Sequence, residues 1–244
     1  DLVIGGERLH DGDSVDVCVD GARFLPGGAT ISAIRVNILD VDGDSLTATT
    51  DAVSLLRAHG RFPMFLHSHS MDALSLDEVD LSAAIHIVVT GIDTVTGELA
   101  VIGHAALTLF LDEDEVAALD GSPVETDPFV RTGAYQVPLY AWDESKAREE
   151  RGSRDAAGEQ GDGDGDGAAE WDWMDDMARA PRVPGMTLLL RVRRRPAQEP
   201  ASRQEDSDNV SATMSKLWGQ VLTYAPGVYA THLCGPSVED SAVY

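Results

Sequence analysis

An all-β fold, an antiparallel sandwich of eight strands, is predicted by three observations. Apolar and polar residues alternate through eight short runs, Gly, Pro and Asp punctuate the intervals, and helical periodicity is nearly absent from residues 1–142. In such a fold every second side chain fills a core between two sheets. With 244 residues, 43% of them hydrophobic, the chain carries enough apolar material for one.

The first run places Val15, Val17 and Val19 on one side and Asp16, Cys18 and Asp20 on the other, and ends at Phe24-Leu25-Pro26. The second, Ile31–Leu39, puts Ile34, Val36 and Ile38 on one face; the turn Asp40-Val41-Asp42-Gly43-Asp44-Ser45 then leads into Leu46–Thr50, so 31–50 reads as a hairpin. Arg61–His67 is a shorter candidate because of Pro63. Ala84–Thr90 (AIHIVVT) is strongly strand-like, and Ala100–Phe110 contains Gly103, which marks a bulge or a close backbone approach. Ala134–Tyr140 and Thr187–Arg193 complete the set, and Pro138, lacking an N–H, puts the former on an edge. Helical spacing is confined to Asp112–Leu119, whose acidic start complements a helix dipole, and to Asn209–Leu222, capped by Asn209 or Ser211.

The sandwich is predicted to occupy residues 1–196, interrupted at 143–180 by an acidic insertion ahead of the last strand. Its Asp, Glu and Gly bury too little to offset the entropy of ordering a backbone, about 1–2 kcal/mol per residue, so a mobile loop is expected there. The apolar exceptions, Trp171, Trp173, Met174 and Met177, are expected to dock back on the sandwich or onto a partner. Residues 197–244 read as a linker, a short helix and an extended tail carrying Tyr224, Tyr229 and Tyr244. The chain opens on Asp1 rather than Met, which is read as a segment of a longer protein. Neither a signal sequence nor an apolar run of 18 residues is seen in it.

The formal net charge is −24. Residues 1–142 contribute −17, residues 143–176 contribute −9, and residues 177–244 contribute +2. This balance disfavours nucleic acid and makes anionic membranes a poor partner, because both are normally met by Lys and Arg. Arg191, Arg193, Arg194 and Arg195 form the one dense cationic cluster, a candidate for a phosphoinositide or a microtubule surface; pairing with the chain's own acidic linker is the alternative. Two widely separated cysteines, Cys18 and Cys234, fit a reducing compartment.

No constellation in the chain satisfies a known chemistry. Asp162-Gly163-Asp164-Gly165-Asp166-Gly167 imitates the start of an EF-hand loop, but position 12 is Trp173 where a bidentate Glu is required. Asp40, Asp42, Asp44 and Asp51 imitate it too, between strands rather than helices. His67 and His69 share one strand face and would hold zinc only if Asp72 or His59 closed around it; without a third ligand at fixed spacing they read as a solvated strand end. His86, opposite Ile85 and Ile87, reads as a surface or edge histidine. A nucleophile elbow, a dinucleotide fingerprint and a Walker sequence are all missing, so no catalytic residue, cofactor or small-molecule substrate is expected.

The run Val15 to Pro26, with Ala22-Arg23-Phe24-Leu25-Pro26 at its end, resembles the opening strand of a C2 domain. Ile92-Asp93, then Gly97 to Gly103 and Ala105-Ala106-Leu107, resembles that family's third loop and sixth strand. Gln136-Val137-Pro138-Leu139 and Leu188–Val192 resemble its short Pro-Leu segment and closing strand, so the likeness spans about residues 13–195. It is also similar to C2-like modules of large ciliary and flagellar proteins, whose tail pattern Tyr224-Ala225-Pro226-Gly227-Val228-Tyr229 with Cys234-Gly235-Pro236 loosely follows. The resemblance implies calcium-dependent lipid binding only where loop carboxylates are present. Here the first loop is Gly27-Gly28-Ala29-Thr30, the third keeps only Asp93, and Leu99-Ala100-Val101 replaces the later Asp. The expectation is therefore a non-catalytic, calcium-independent scaffold of a cytoplasmic, cytoskeletal assembly in the cilium or flagellum. Its partners would be proteins met through Trp171, Trp173, Tyr224, Tyr229 and Tyr244, with no metal; a peripheral membrane C2 domain is the alternative.

Overall fold

The computed structural model describes residues 5–54, 60–112, 114–116, 128–143, 145–146, 172–197 and 230–231. Among the described residues ten strands form: β1 (Gly5–Arg8), β2 (Ser14–Arg23), β3 (Ala29–Leu39), β4 (Thr50–Val53), β5 (Met64–Met71), β6 (Ala84–Asp93), β7 (Leu99–Thr108), β8 (Phe129–Tyr140), β9 (Arg182–Arg195) and β10 (Ala230–Thr231). A helix, α1 (Trp173–Arg179), precedes β9, and residues 114–116, within the expected Asp112–Leu119 helix, and 145–146 are also helical. The lateral order is β4-β3-β6-β7-β8-β9-β2-β5, with β1 and β10 both paired to β8. Every named pair is antiparallel except β10 with β8.

The fold is thus all-β and nearly closed, in an arrangement consistent with a sandwich. Two seams divide it. Between β7 and β8 the ladder is a single pair, His104 with Tyr140. Between the path's two ends, β4 and β5, side chains join instead of backbone: Thr47 Oγ1 and Thr50 Oγ1 lie 2.9 Å from the two ring nitrogens of His69, and Thr50 Oγ1 also lies 2.9 Å from His67 Nε2. Along the eight-strand path four strands lie on each side of the β7–β8 seam, and β1 and β10 add to the β8 side.

The apolar positions of the alternation are the core positions, although β2 is buried on both faces. Val15, Val17 and Val19 of β2, Ile34, Val36 and Ile38 of β3, Ile85 and Ile87 of β6, and Leu188, Leu190 and Val192 of β9 meet in one core, all at most 1% exposed. Each such aliphatic side chain contributes about 1.5–3 kcal/mol relative to exposure. Gly103 meets both expectations placed on it. Val89 pairs with Gly103 and Thr90 with Val101, so Ile102 is a bulge, and a Cβ on Gly103 would lie 3.1 Å from the Tyr140 carbonyl oxygen. The strand that carries Pro138 is not an edge: β8 lies between β7 and β9, and the proline is accommodated where it faces Thr187 of β9 and has no ladder partner on its other side among the described residues.

Several boundaries differ from expectation. The second arm of the first hairpin is 50–53 rather than 46–50: after the Leu39–Ser45 bridge the chain leaves β3, Thr49 Oγ1 donates to Asn37 Oδ1, and pairing resumes at Val36 with Thr50. β5 starts after Pro63 and runs on through the polar residues to Met71. β1, whose Gly-Gly-Glu-Arg has no alternation, and β10 were not anticipated. The acidic insertion at 143–180 is corrected at its end: residues 173–179 are helical, with the Asp172 carboxylate accepting from the backbone N–H groups of Met174 and Asp175. Composition hid this helix because its ordering comes from tertiary burial of Trp173 and Met177, which local sequence does not display. The Asp162–Gly167 run, the whole of Asn209–Leu222, and the tail apart from Ala230–Thr231 lie outside the described residues.

Candidate functional site

The loops between β2 and β3, β4 and β5, and β6 and β7 gather at one end. Thr94 N donates to Gly28 O (2.9 Å), Leu25 N donates to Arg61 O (3.1 Å), and a Cβ on Gly60 would come within 2.9 Å of Ala29 O. This end is apolar at its tip. Val95 is 91% exposed, Leu99 69% and Val101 58%, while Phe62 and Ile31 are also exposed. Phe24, held at φ +59, meets Phe62 edge-on at 5.2 Å. A non-glycine residue in that left-handed region costs about 1–2 kcal/mol, so packing over-determines this loop.

The carboxylate inventory of the loop end is small. Asp93 Oδ1 accepts from Val95 N (2.7 Å) and Thr96 N (3.2 Å), so that oxygen shapes the turn. Among the described residues no group of three or more His, Cys, Asp or Glu is arranged to hold a metal ion. The Asp40–Asp44 turn is likewise internally bonded, Asp40 Oδ1 accepting from Asp44 N at 2.8 Å, and Asp51 pairs with Arg35. His67 and His69 do share a face, as expected, but it is the β4–β5 seam rather than a solvated strand end. His69 is 4% exposed, and burial depresses both imidazole pKa values.

The outer faces of the two halves are finished differently. On β2, β9 and β5 the arginine cluster is paired within the chain, to carboxylates on or beside the strands. Arg191 binds Asp20 bidentately, Nε to Oδ2 at 2.7 Å and Nη2 to Oδ1 at 2.5 Å. Arg193 lies 3.7 Å from Asp16, Arg194 bonds Asp13 (2.7 Å) and Glu7 (3.1 Å), and Arg195 meets Asp72 (2.5 Å). Burial works against the charge on Asp13, but the N–H groups of Ala197 and His10 and the Arg194 guanidinium outweigh it and hold its carboxyl below the usual range. Cys18 on this face is a free, buried thiol 3.7 Å from Ser68 Oγ, its pKa raised by burial. A depression of about 350 Å³ opens beside Ser14, Asp72 and Arg195, away from the apolar loops.

On β6 and β7 the outer face is aromatic. His86, read as a surface residue, is 2% exposed, and His104 on the neighbouring strand is 4% exposed. Their rings lie nearly parallel (8°) with His86 Nε2 3.2 Å from His104 Nδ1. Trp142 stands edge-on to both at 5.7 and 5.3 Å, and Trp173 to His86 at 5.2 Å. Trp173 docks back on the fold: it is 1% exposed, its indole N–H donates to the Asp40 carbonyl oxygen (2.6 Å), and it packs with Leu39, Ala84, Tyr140 and Met177. A partner therefore cannot reach it while α1 is seated, which corrects its place among the partner-contacting residues. The signal sequence reasoning missed is that His86 and His104 fall on the outer face of paired strands at a spacing that makes them diagonal neighbours. Trp171, Tyr224, Tyr229 and Tyr244 lie outside the described residues.

No family model and no curated protein matches the chain. Among solved structures, a crystal structure of L. pealei PLC21 aligns at TM-score 0.39 and 12% identity over 82% of this chain, and one of S. officinalis PLC21 at TM-score 0.38 and 13% identity over 78%. The chain spans less than a fifth of each, 18% and 16%.

Proposed function

We propose that this chain is a non-catalytic, C2-like β-sandwich that binds proteins without calcium, as one module of a larger cytoskeletal, axonemal assembly in the cytoplasm. The loop end carries the reading. Where a C2 domain would converge carboxylates on calcium, this chain has Gly27 and Gly28 in one loop, Asp93 with an oxygen committed to its own turn in another, and an apolar rim of Val95, Leu99 and Val101. A hard cation needs six to eight oxygens, and an apolar rim offers burial instead. The resemblance of the strand motifs and tail to ciliary C2-like modules supplies the cellular context. Tyr224, Tyr229, Tyr244 and Trp171 are the proposed additional contacts. Deleting 197–244 is then expected to weaken incorporation into the assembly while the sandwich stays folded; normal incorporation would count against the tail's role.

The same rim favours a second reading, a peripheral membrane domain whose loop tips enter lipid. Two charge observations stand against it. Residues 1–142 carry −17, and the arginines that would meet an anionic headgroup are already engaged by Asp20, Asp16, Asp13, Glu7 and Asp72. Sedimentation with anionic vesicles separates the readings. The wild-type chain should stay in the supernatant with and without Ca²⁺, whereas calcium-stimulated pelleting that Val95→Asp abolishes would establish the membrane domain.

A further inference from the structure

We propose that the side of β8 from which β7 departs is a strand-acceptor site, filled in the isolated chain by the chain's own C-terminal segment around Ala230–Thr231 and open to an extended peptide when that segment leaves. The backbone of the seam makes the site. Between the Phe110–Val130 bridge and the His104–Tyr140 pair, the β7 side advances six residues and the β8 side ten. A bulge absorbs one extra residue, and a surplus of four drives the two backbones apart.

The parting is built into β8. Ahead of it the strand is held on both sides: β1 runs antiparallel along 129–132, while Arg131 N donates to Leu109 O and Leu111 N to Phe129 O, both at 2.9 Å. At Gly133 a φ of +138 turns the chain, a conformation that side chains resist, and the Tyr135 hydroxyl donates to Thr132 O (2.8 Å) across the turn. From there to Tyr140 the strand pairs with β9. A strand has two hydrogen-bonding sides. Over 133–139 the side away from β9 belongs to β7 by position, and among the described residues β7 pairs with none of it.

The strand β10 takes that side. Ala230 stands opposite Tyr135 and Thr231 opposite Gln136 in parallel register, while Leu190 and Leu189 of β9 pair with the same two residues from the other side. The segment suits the place by its sequence. Tyr229-Ala230-Thr231-His232-Leu233 holds no Gly or Pro and is bracketed by Pro226-Gly227 and Gly235-Pro236, the punctuation of a short strand. On β8, Tyr135 and Val137 are buried in the core and Ala134 and Gln136 are half-buried, so the site offers mainly backbone and selects an extended chain rather than a charge. Pro138 brings no N–H, and the ladder ends before it.

Two properties make the seat exchangeable. A two-residue ladder ties down few hydrogen bonds, and such elements open far more readily than the whole fold. The segment is also tethered to the end of β9 through residues 196–229, so it returns at an effective concentration of up to about millimolar, a level that an added peptide can match. This extends the tail's proposed role from contact to cover, but its test needs no assembly, so the two fail separately.

Amide hydrogen exchange of the full chain, read by mass spectrometry on fragments covering 133–137, tests the site. Alternate residues of a strand face opposite neighbours, so the double variant Ala230→Pro/Thr231→Pro removes the pairing donor whichever of the two carries it. Protection of 133–137 is expected to fall at least about tenfold in that variant while 85–89 of β6 and 188–192 of β9 keep theirs. A synthetic peptide of residues 226–236, raised to about 1 mM, is expected to restore the protection saturably, and the same peptide carrying the two prolines to restore none. Unchanged protection in the double variant, loss that includes β6, or no rescue by the peptide would overturn the site. Wild-type protection that climbs with protein concentration would give the seat to a second copy and overturn its filling from within the chain.

Discussion

Two outer faces of one sheet system meet the same requirement in opposite ways. Residues that alternate with core positions must be paired, hydrated or covered. On β2 and β9 the cover is ionic and made of cross-strand neighbours: Asp16 with Arg193 is a register pair, and Cys18 pairs with Arg191, whose guanidinium reaches Asp20 two residues on. On β6 and β7 it is aromatic, and its main piece, Trp173, comes from beyond the long acidic segment. The ionic face is assembled whenever the sheet is assembled. The aromatic face is complete only when a distant segment returns, so its order is conditional on something other than the sheet.

The contrast is broken most directly by truncating the distant piece. Trp173→Ala is expected to cost about 3–5 kcal/mol in urea-induced unfolding and to strip protection from 173–179. A cost below about 1 kcal/mol, in the range of surface substitutions, would mean that the aromatic cover is not packed as described. The ionic face has its own deep point at Asp20, whose side chain is fully buried. Asp20→Ala removes the bidentate carboxylate from Arg191, whose side chain is only 11% exposed, and is expected to cost about 3 kcal/mol, with the double variant Asp20→Ala/Arg191→Met recovering most of it. If the double variant is no better than the single, the bidentate pair is not what stabilises that face.

Acid sharpens the comparison by reaching the regions at different pH. His67 and His69 at the β4–β5 seam have folded pKa values below the ordinary 6.5, chiefly through burial. The folded seam therefore binds fewer protons than the unfolded chain below 6.5, and its contribution, complete above that pH, declines as pH falls through the folded values. Asp13 has a folded pKa below the ordinary 3.8, so the ionic face keeps its contribution until pH falls below that value. Urea midpoints measured against pH should drop first in the histidine range, and His69→Asn should flatten that drop while leaving the one below 3.8; a curve unchanged by His69→Asn would remove the seam from the account. The smallest effect expected is at Arg35, whose pair with Asp51 is about 60% exposed on both sides; Arg35→Ala should cost at most about 1 kcal/mol.

The legible part of this fold is the part written in nearest neighbours. Val15, Val17 and Val19, or Ile85 and Ile87, announce a buried strand face by their own spacing, and Gly103 announced a bulge, whereas Pro138 did not mark an edge, because β8 lies between β7 and β9. Glu7 in β1 and His69 in the seam carry no such mark, because their roles depend on which strands become neighbours across the closed path. The same holds for His86. Its alternation correctly put it on the outer face, and nothing local says that Trp142 and Trp173 cover that face. The loop end was legible in its missing carboxylates, but the exposure of Val95, Leu99 and Val101 is a property of the folded end.

The claim on which the functional reading stands is that this loop end is built for apolar contact and not for calcium. Calorimetric titration of the full chain with calcium up to about 1 mM, the upper range of weak calcium modules, tests it most directly. The account predicts no saturable heat and the same trace for Asp93→Asn. A saturable heat that Asp93→Asn abolishes would contradict it.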